Sequence, residues 1–183
     1  MERPRILVAR AVFPEVLERL RAALDVEANE EDQVLSPAEL ARRLADKDGV
    51  LTTGGNMAVG FNNFDVDAMN AAGVQGTNTP DVLTETTADF GFALLMATAR
   101  RMTEAEHFLR AGRWTQWRYD LFAGAEVHGS TLGILGMGRI GQGIARRGAH
   151  GFGMRVIYHN RSRLAPALEV QCAAQYVSKD ALL

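Results

Sequence analysis

Apolar positions along the chain switch between two periods. Arg5-Ile-Leu-Val-Ala9 is a short continuous apolar run and predicts a buried strand; Pro14 to Leu24 then carries Val16, Leu17, Leu20, Ala23 and Leu24 at helical spacing. Ser36-Pro37-Ala38-Glu39 combines a capping hydroxyl, a proline at the first helical position and a glutamate at the third, so a helix is expected to run to about Leu44. Gly49-Val-Leu-Thr52 has the pattern of another short strand. This alternation predicts a parallel sheet covered by helices. Asp65 is expected to cap a helix over Val66 to Ala72, ended by Gly73, with Val74 to Thr77 resuming a strand.

From Thr84 to about Ala111 the spacing predicts one long helix whose first part is apolar nearly all round, which implies burial between domains or subunits. Glu85 and Asp89 lie i, i+4 near its start. They read as negative charge at a positive dipole end rather than as a catalytic carboxylate pair. Gly112 to Gly129 is irregular and rich in large side chains: Trp114, Trp117, Tyr119, Leu121 and Phe122. Such a segment either packs back on the chain or meets a partner, and a partner subunit is the preferred reading.

The next stretch changes the picture. Thr131-Leu-Gly-Ile-Leu-Gly-Met-Gly-Arg-Ile-Gly-Gln-Gly-Ile-Ala-Arg146 runs a strand pattern into G-x-G-x-x-G and then into a helix pattern. In that context each glycine has a purpose. Gly136 turns the chain off the strand, Gly138 admits a pyrophosphate close to the backbone, and Gly141 brings helix and strand together. The helix N-terminus then offers N–H groups and a positive dipole end to phosphates. Met154-Arg-Val-Ile-Tyr-His159 reads as the next parallel strand, followed by Asn160-Arg161-Ser162-Arg163. An NAD-preferring site carries Asp or Glu about 20 residues past the glycines. Asn160, nineteen positions after Gly141, has no charge, and two arginines and a serine suit a 2′-phosphate. The expected cofactor is therefore NADP(H) in preference to NAD(H). Ala174 to Val177 is a further strand pattern, and Ser178 is placed to cap a helix from Lys179.

Composition narrows the partners. The 183 residues are 47% hydrophobic and 23% charged, with a net charge of −2, an ordinary globular balance that gives no electrostatic case for nucleic acid or anionic membrane. No stretch is long and apolar enough to span a bilayer, and the N-terminus has no secretory pattern. A single cysteine, Cys172, excludes an internal disulfide and fits a cytoplasmic location; four scattered histidines show no metal-ligand spacing.

Several motifs, in order, resemble the D-isomer-specific 2-hydroxyacid dehydrogenases, and most closely their glyoxylate/hydroxypyruvate reductase branch. They are Asn56-Met-Ala-Val-Gly-Phe-Asn-Asn-Phe-Asp65, Gly76-Thr-Asn-Thr-Pro80 with Val82-Leu-Thr84, Thr87-Ala-Asp89 and Leu135-Gly-Met-Gly-Arg-Ile-Gly141. The resemblance implies an α/β protein with an incomplete flavodoxin-like substrate domain over 1–83, an inter-domain and dimerisation segment over 84–129, and the N-terminal half of a Rossmann domain over 130–183. It implies that Ala58, Val59 and Gly60 receive a substrate carboxylate on backbone N–H groups. Thr87 is similar to a threonine facing the nicotinamide end, and Gly138, Arg139 and Ile140 match the pyrophosphate turn. Trp117, with Trp114 as the second choice, resembles a residue reaching across a homodimer to the neighbouring active site.

Two departures stand out. Gly54-Gly55 bridges a gap where the family places a helix and a strand, so a crossover unit is expected to be missing. Family members also continue past the position of Leu183, where their catalytic Arg, Glu and His are expected; none of His107, His128, His150 and His159 falls in a matching motif. The implied reaction is reduction of a small 2-oxoacid to a 2-hydroxyacid, with little turnover expected from these 183 residues alone. A non-catalytic dinucleotide-binding or dimerising module, or an inactive fragment, is the alternative.

Overall fold

The computed structural model describes residues 3–52 and 65–183; the Gly54-Gly55 junction and Ala58-Val59-Gly60 lie outside them. The chain divides into two compact units, Met1–Pro80 and Asp81–Leu183.

In the first unit, β1 (Arg5–Val8) lies between β2 (Asp25–Ala28) and β3 (Gly49–Leu51), parallel to both. The order β2-β1-β3 is the start of a flavodoxin-like sheet. Leu7 and Val8 are fully buried in the central strand, and Leu17 of α1 (Pro14–Ala23) joins them. Buried Asn29 satisfies its amide locally: Nδ2 donates to the carbonyls of Ala9 and Gln33, and Oδ1 accepts from Gln33 N–H. Ser36 caps α2 (Pro37–Leu44) by accepting from Glu39 N–H at 3.2 Å. The Glu39 side chain grips Arg42 and Arg43. Asp65 caps α3 (Val66–Ala71) by accepting from Ala68 N–H, and Gly73 follows with φ +66°. The expected strand over 74–77 does not form.

In the second unit, β4 (Thr131–Leu135), β5 (Arg155–His159) and β6 (Ala174–Tyr176) form a parallel sheet in that order, which is half of the 3-2-1-4-5-6 dinucleotide-binding arrangement. Leu132, Ile134, Val156 and Tyr158 alternate inward and meet Met137, Ala145, Met154 and Cys172. Burial pushes the Cys172 thiol pKa up. A π-helical turn, Arg147–Gly151, closes α6 (Arg139–Arg146), and α7 (Pro166–Cys172) and α8 (Lys179–Leu182) complete the unit.

The long helix expected over 84–111 is broken into α4 (Thr84–Ala99) and α5 (Met102–Arg110). Arg101 sits between them in the left-handed region, φ 53°. The carbonyl of Ala99 accepts from Ala125 N–H at 2.8 Å, so the returning chain takes an acceptor that a continued helix would have used. A Cβ on Gly124 would lie 2.2 Å from that same oxygen. Helix α4 packs on α6 through small residues: a Cβ on Gly143 would meet Ala88 Cβ at 2.8 Å. Segment 84–129 thus shares one compact unit with the strands that follow it.

Glu85 and Asp89 point across this contact. Glu85 pairs with Arg146 at 2.8 Å and with Arg147 at 2.9 Å, and Asp89 also binds Arg147. Specific cations, not the helix dipole alone, hold these carboxylates.

Candidate dinucleotide site

The turn after β4 is built by its own sequence. Gly136 has φ +98°, a conformation that only glycine adopts without strain. Its N–H still donates to His159 C=O at 3.0 Å, so the turn starts while the strand is paired. Met137 is fully buried and anchors the loop in the core. A Cβ on Gly141 would stand 2.5 Å from Gly136 O, so this glycine lets the helix sit against the turn. A Cβ on Gly138 would meet nothing within 4 Å. The protein does not need that glycine for packing; the open space lies where a bound group would approach the backbone. No side chain caps α6, which starts at Arg139, so its first N–H groups are left for an anion.

The loop opens on a cleft of about 620 Å³ at the C-terminal ends of the strands. Leu135, Gly136 and Gly138 form one wall, and His159, Asn160, Arg161, Ser162 and Lys179 form the other. Among the described residues no carboxylate lines it, while Arg161 and Lys179 both do. Such a cleft favours an anion at each end: one over the helix N-terminus, one beside the cations.

The sequence-chosen residues divide into groups. Gly136, Gly138, Asn160, Arg161 and Ser162 come together around the cleft. The Asn160 side chain ties the second strand end to the glycine loop, its Oδ1 accepting from Met137 N–H. Gly141 is buried beneath the turn, and Ile140 is half-buried. Arg139 presents its backbone at the helix start while its side chain pairs with Asp81 at 2.8 Å. Arg163 turns away from the cleft and forms a two-pronged pair with Glu169, at 2.9 and 2.8 Å. Tyr158 Oη donates to the same carboxylate and accepts from Leu164 N–H. Arg163 and Tyr158 together hold the Glu169 carboxyl below its usual range, and burial raises the Tyr158 hydroxyl. Arg163 is thus engaged in holding the 158–169 loop. Thr87 is exposed on α4 and does not line the cleft. Trp117 is 75% exposed in the irregular segment. Ala58, Val59 and Gly60 fall outside the described residues.

Sequence reasoning missed Lys179 as a lining residue. The available signal was its place just after a third parallel strand, at the strand end where α/β sheets bind ligands. His159 also lines the cleft, its Nδ1–H donating to Val177 C=O at 3.0 Å.

Residues 92–183 match the family profile described as D-isomer specific 2-hydroxyacid dehydrogenase, NAD binding domain. The chain is 42% identical to a glyoxylate reductase of Aeropyrum pernix, an alignment covering 100% of this chain and 61% of the relative. A glyoxylate reductase of Thermococcus kodakarensis is 39% identical over 203 positions, covering 99% of this chain and 60% of the relative. That alignment has more positions than this chain has residues, so the relative carries segments that the chain lacks. Among solved structures, an NADPH-dependent glyoxylate/hydroxypyruvate reductase of Sinorhizobium meliloti in complex with NADP and malonate superposes with a TM-score of 0.70 at 33% identity, covering 90% of this chain and 56% of that one. The chain spans about 60% of the length of the curated relatives it matches.

Proposed function

Because the chain belongs to the D-isomer specific 2-hydroxyacid dehydrogenase family, we propose that its second unit binds NADP(H) in preference to NAD(H), in the service of reducing a small 2-oxoacid of the glyoxylate/hydroxypyruvate type. The observation that carries this reading is a cleft that no carboxylate of the described residues lines, with an uncapped helix at one end and Arg161 and Ser162 at the other. The residues fit the coenzyme: space at Gly138 admits a pyrophosphate, and the first-turn N–H groups of α6 would donate to it. Arg161 and Ser162 would hold the adenosine 2′-phosphate, and Asn160 leaves it unopposed by negative charge. Further support is the NADPH dependence of the Sinorhizobium meliloti reductase.

When bound, the reduced coenzyme supplies hydride to the oxoacid carbonyl carbon. The parts proposed for this chain are binding and orientation. The Ala58-Val59-Gly60 backbone would receive the oxoacid carboxylate, Thr87 would face the nicotinamide end, and Trp117 would reach the active site of a second copy. The family's arginine polariser and histidine proton donor have no matching motif in these 183 residues. Absence of general-acid help alone lowers a rate by about 10²–10⁴. The chain by itself is therefore expected to bind coenzyme without appreciable turnover. NADPH oxidation followed at 340 nm with glyoxylate and with hydroxypyruvate tests this. A turnover on the ordinary enzyme scale, about 10 per second, would contradict it.

A second copy of the chain is the proposed partner of segment 84–129. Phe90 (65% exposed) and Leu94 (52%) form an uncharged face of α4, and Trp114, Trp117 and Tyr119 stand out from the segment beyond α5. The chain alone leaves this apolar area in water, a pattern typical of an interface.

A further inference from the structure

We propose that Lys179 discriminates between the two coenzymes: with Arg161 it forms a two-cation clamp on the 2′-phosphate of NADP(H). This rests on the reading of the cleft as a dinucleotide site.

Topology brings the two cations to one rim. β5 and β6 are parallel neighbours with Tyr158 opposite Tyr176, so the segments leaving them emerge side by side. Three hydrogen bonds pin those segments together. Val177 N–H donates to Tyr158 C=O at 2.9 Å, His159 Nδ1–H donates to Val177 C=O, and Tyr176 Oη donates to Asn160 C=O at 3.3 Å. Arg161 follows the first strand by two residues and Lys179 the second by three, and both line the cleft.

Charge pairing separates these two from neighbouring cations. Arg139, Arg146, Arg147 and Arg163 each hold a carboxylate. Among the described residues, neither Arg161 nor Lys179 forms an ion pair, and no acid lines the space they share. Two cations on one rim repel until an anion enters between them, and a phosphate dianion answers both. The roles differ: the Arg161 guanidinium offers a directional fork, and the Lys179 ammonium a mobile point charge. Lys179 is exposed.

Isothermal titration of the 183-residue chain with adenosine 2′,5′-bisphosphate and with AMP tests the assignment. Lys179→Gln is expected to weaken the bisphosphate about three- to tenfold and to leave AMP within about twofold. Lys179→Arg restores most of the loss, and the melting temperature of either variant stays at the wild-type value. An equal loss for both probes, or no loss for either, overturns the role of Lys179 even where Arg161→Gln removes the preference. A wild-type chain that does not favour the bisphosphate over AMP overturns the NADP(H) reading itself, and the clamp with it.

Discussion

The side-chain oxygen of Asn160 accepts a hydrogen bond from the backbone N–H of Met137 at 2.6 Å. The residue proposed to stand at the cofactor-selecting position therefore also fastens the glycine loop to the end of β5. An uncharged amide suits both tasks: it satisfies a loop N–H and places no negative charge beside Arg161.

This double role predicts two separable variants. Asn160→Asp keeps an acceptor for Met137 N–H and adds a carboxylate to the cleft. NADPH affinity is expected to fall roughly tenfold while NADH affinity holds or rises. Asn160→Ala leaves the Met137 N–H without its partner, costing about 1–3 kcal/mol of stability and weakening both coenzymes. Nucleotide fluorescence titration with thermal melts separates the two outcomes. Equal effects of Asp and Ala on the two coenzymes would refute the division.

The glycines of the turn predict opposite failures. Gly138→Ala places a methyl group in space that the protein leaves empty, so the chain should melt as the wild type does and yet lose most coenzyme affinity. Gly141→Ala forces a Cβ to within 2.5 Å of Gly136 O. Relief of that clash is expected to cost about 1–3 kcal/mol and to lower the melting temperature whether or not coenzyme is present. A Gly138→Ala chain that binds normally would show that the open space is not where the pyrophosphate lies.

Acid should weaken one ion-pair cluster of the first unit, that of Glu39 with Arg42 and Arg43. The Arg42 guanidinium, with Arg43 beside it, pulls the Glu39 carboxyl from its ordinary 4.5 down to about 2. A depressed carboxyl contributes stability that is present above the unfolded value and is lost as pH falls through the folded one. The contribution of Glu39 therefore fades between pH 4.5 and about 2. Because the group is exposed, the effect is small and screened by salt. Melts by circular dichroism across that range should show a shallower pH slope in Glu39→Gln, and an unchanged slope would contradict the pairing.

The uncharged face of α4 predicts self-association. Phe90→Glu with Leu94→Glu replaces exposed apolar groups and touches nothing in the core. Sedimentation velocity should show the wild-type chain as a dimer and this double variant as a monomer with unchanged helical content. A monomeric wild type would remove the proposed interface.

Much of this architecture was legible because local signals and fold agree. Ser36, Asp65 and Ser178 each cap the helix expected to follow them, and the glycine turn follows its strand as the motif requires. What escaped reading depends on distant partners or lacks a local mark. β2 spells Asp-Val-Glu-Ala, and its strand character comes from pairing with β1, with Arg5 opposite Asp25. Helix α7 carries only half of a start signal, Pro166 at its first position with no capping side chain on Ala165 before it. The break at Arg101 depends on Ala125 returning to the Ala99 carbonyl. Arg163 suited a phosphate by position, and only folding reveals Glu169 within its reach. Lys179 entered the cleft through a strand pairing that no short motif encodes.

The most direct test of the account is equilibrium titration of the purified chain with NADPH and with NADH, read by nucleotide fluorescence, in parallel with Arg161→Asp. NADPH is expected to bind at least about tenfold more tightly than NADH, and the substitution is expected to abolish or reverse that ratio. Tighter binding of NADH by the wild-type chain, or no binding of either nucleotide, would contradict it.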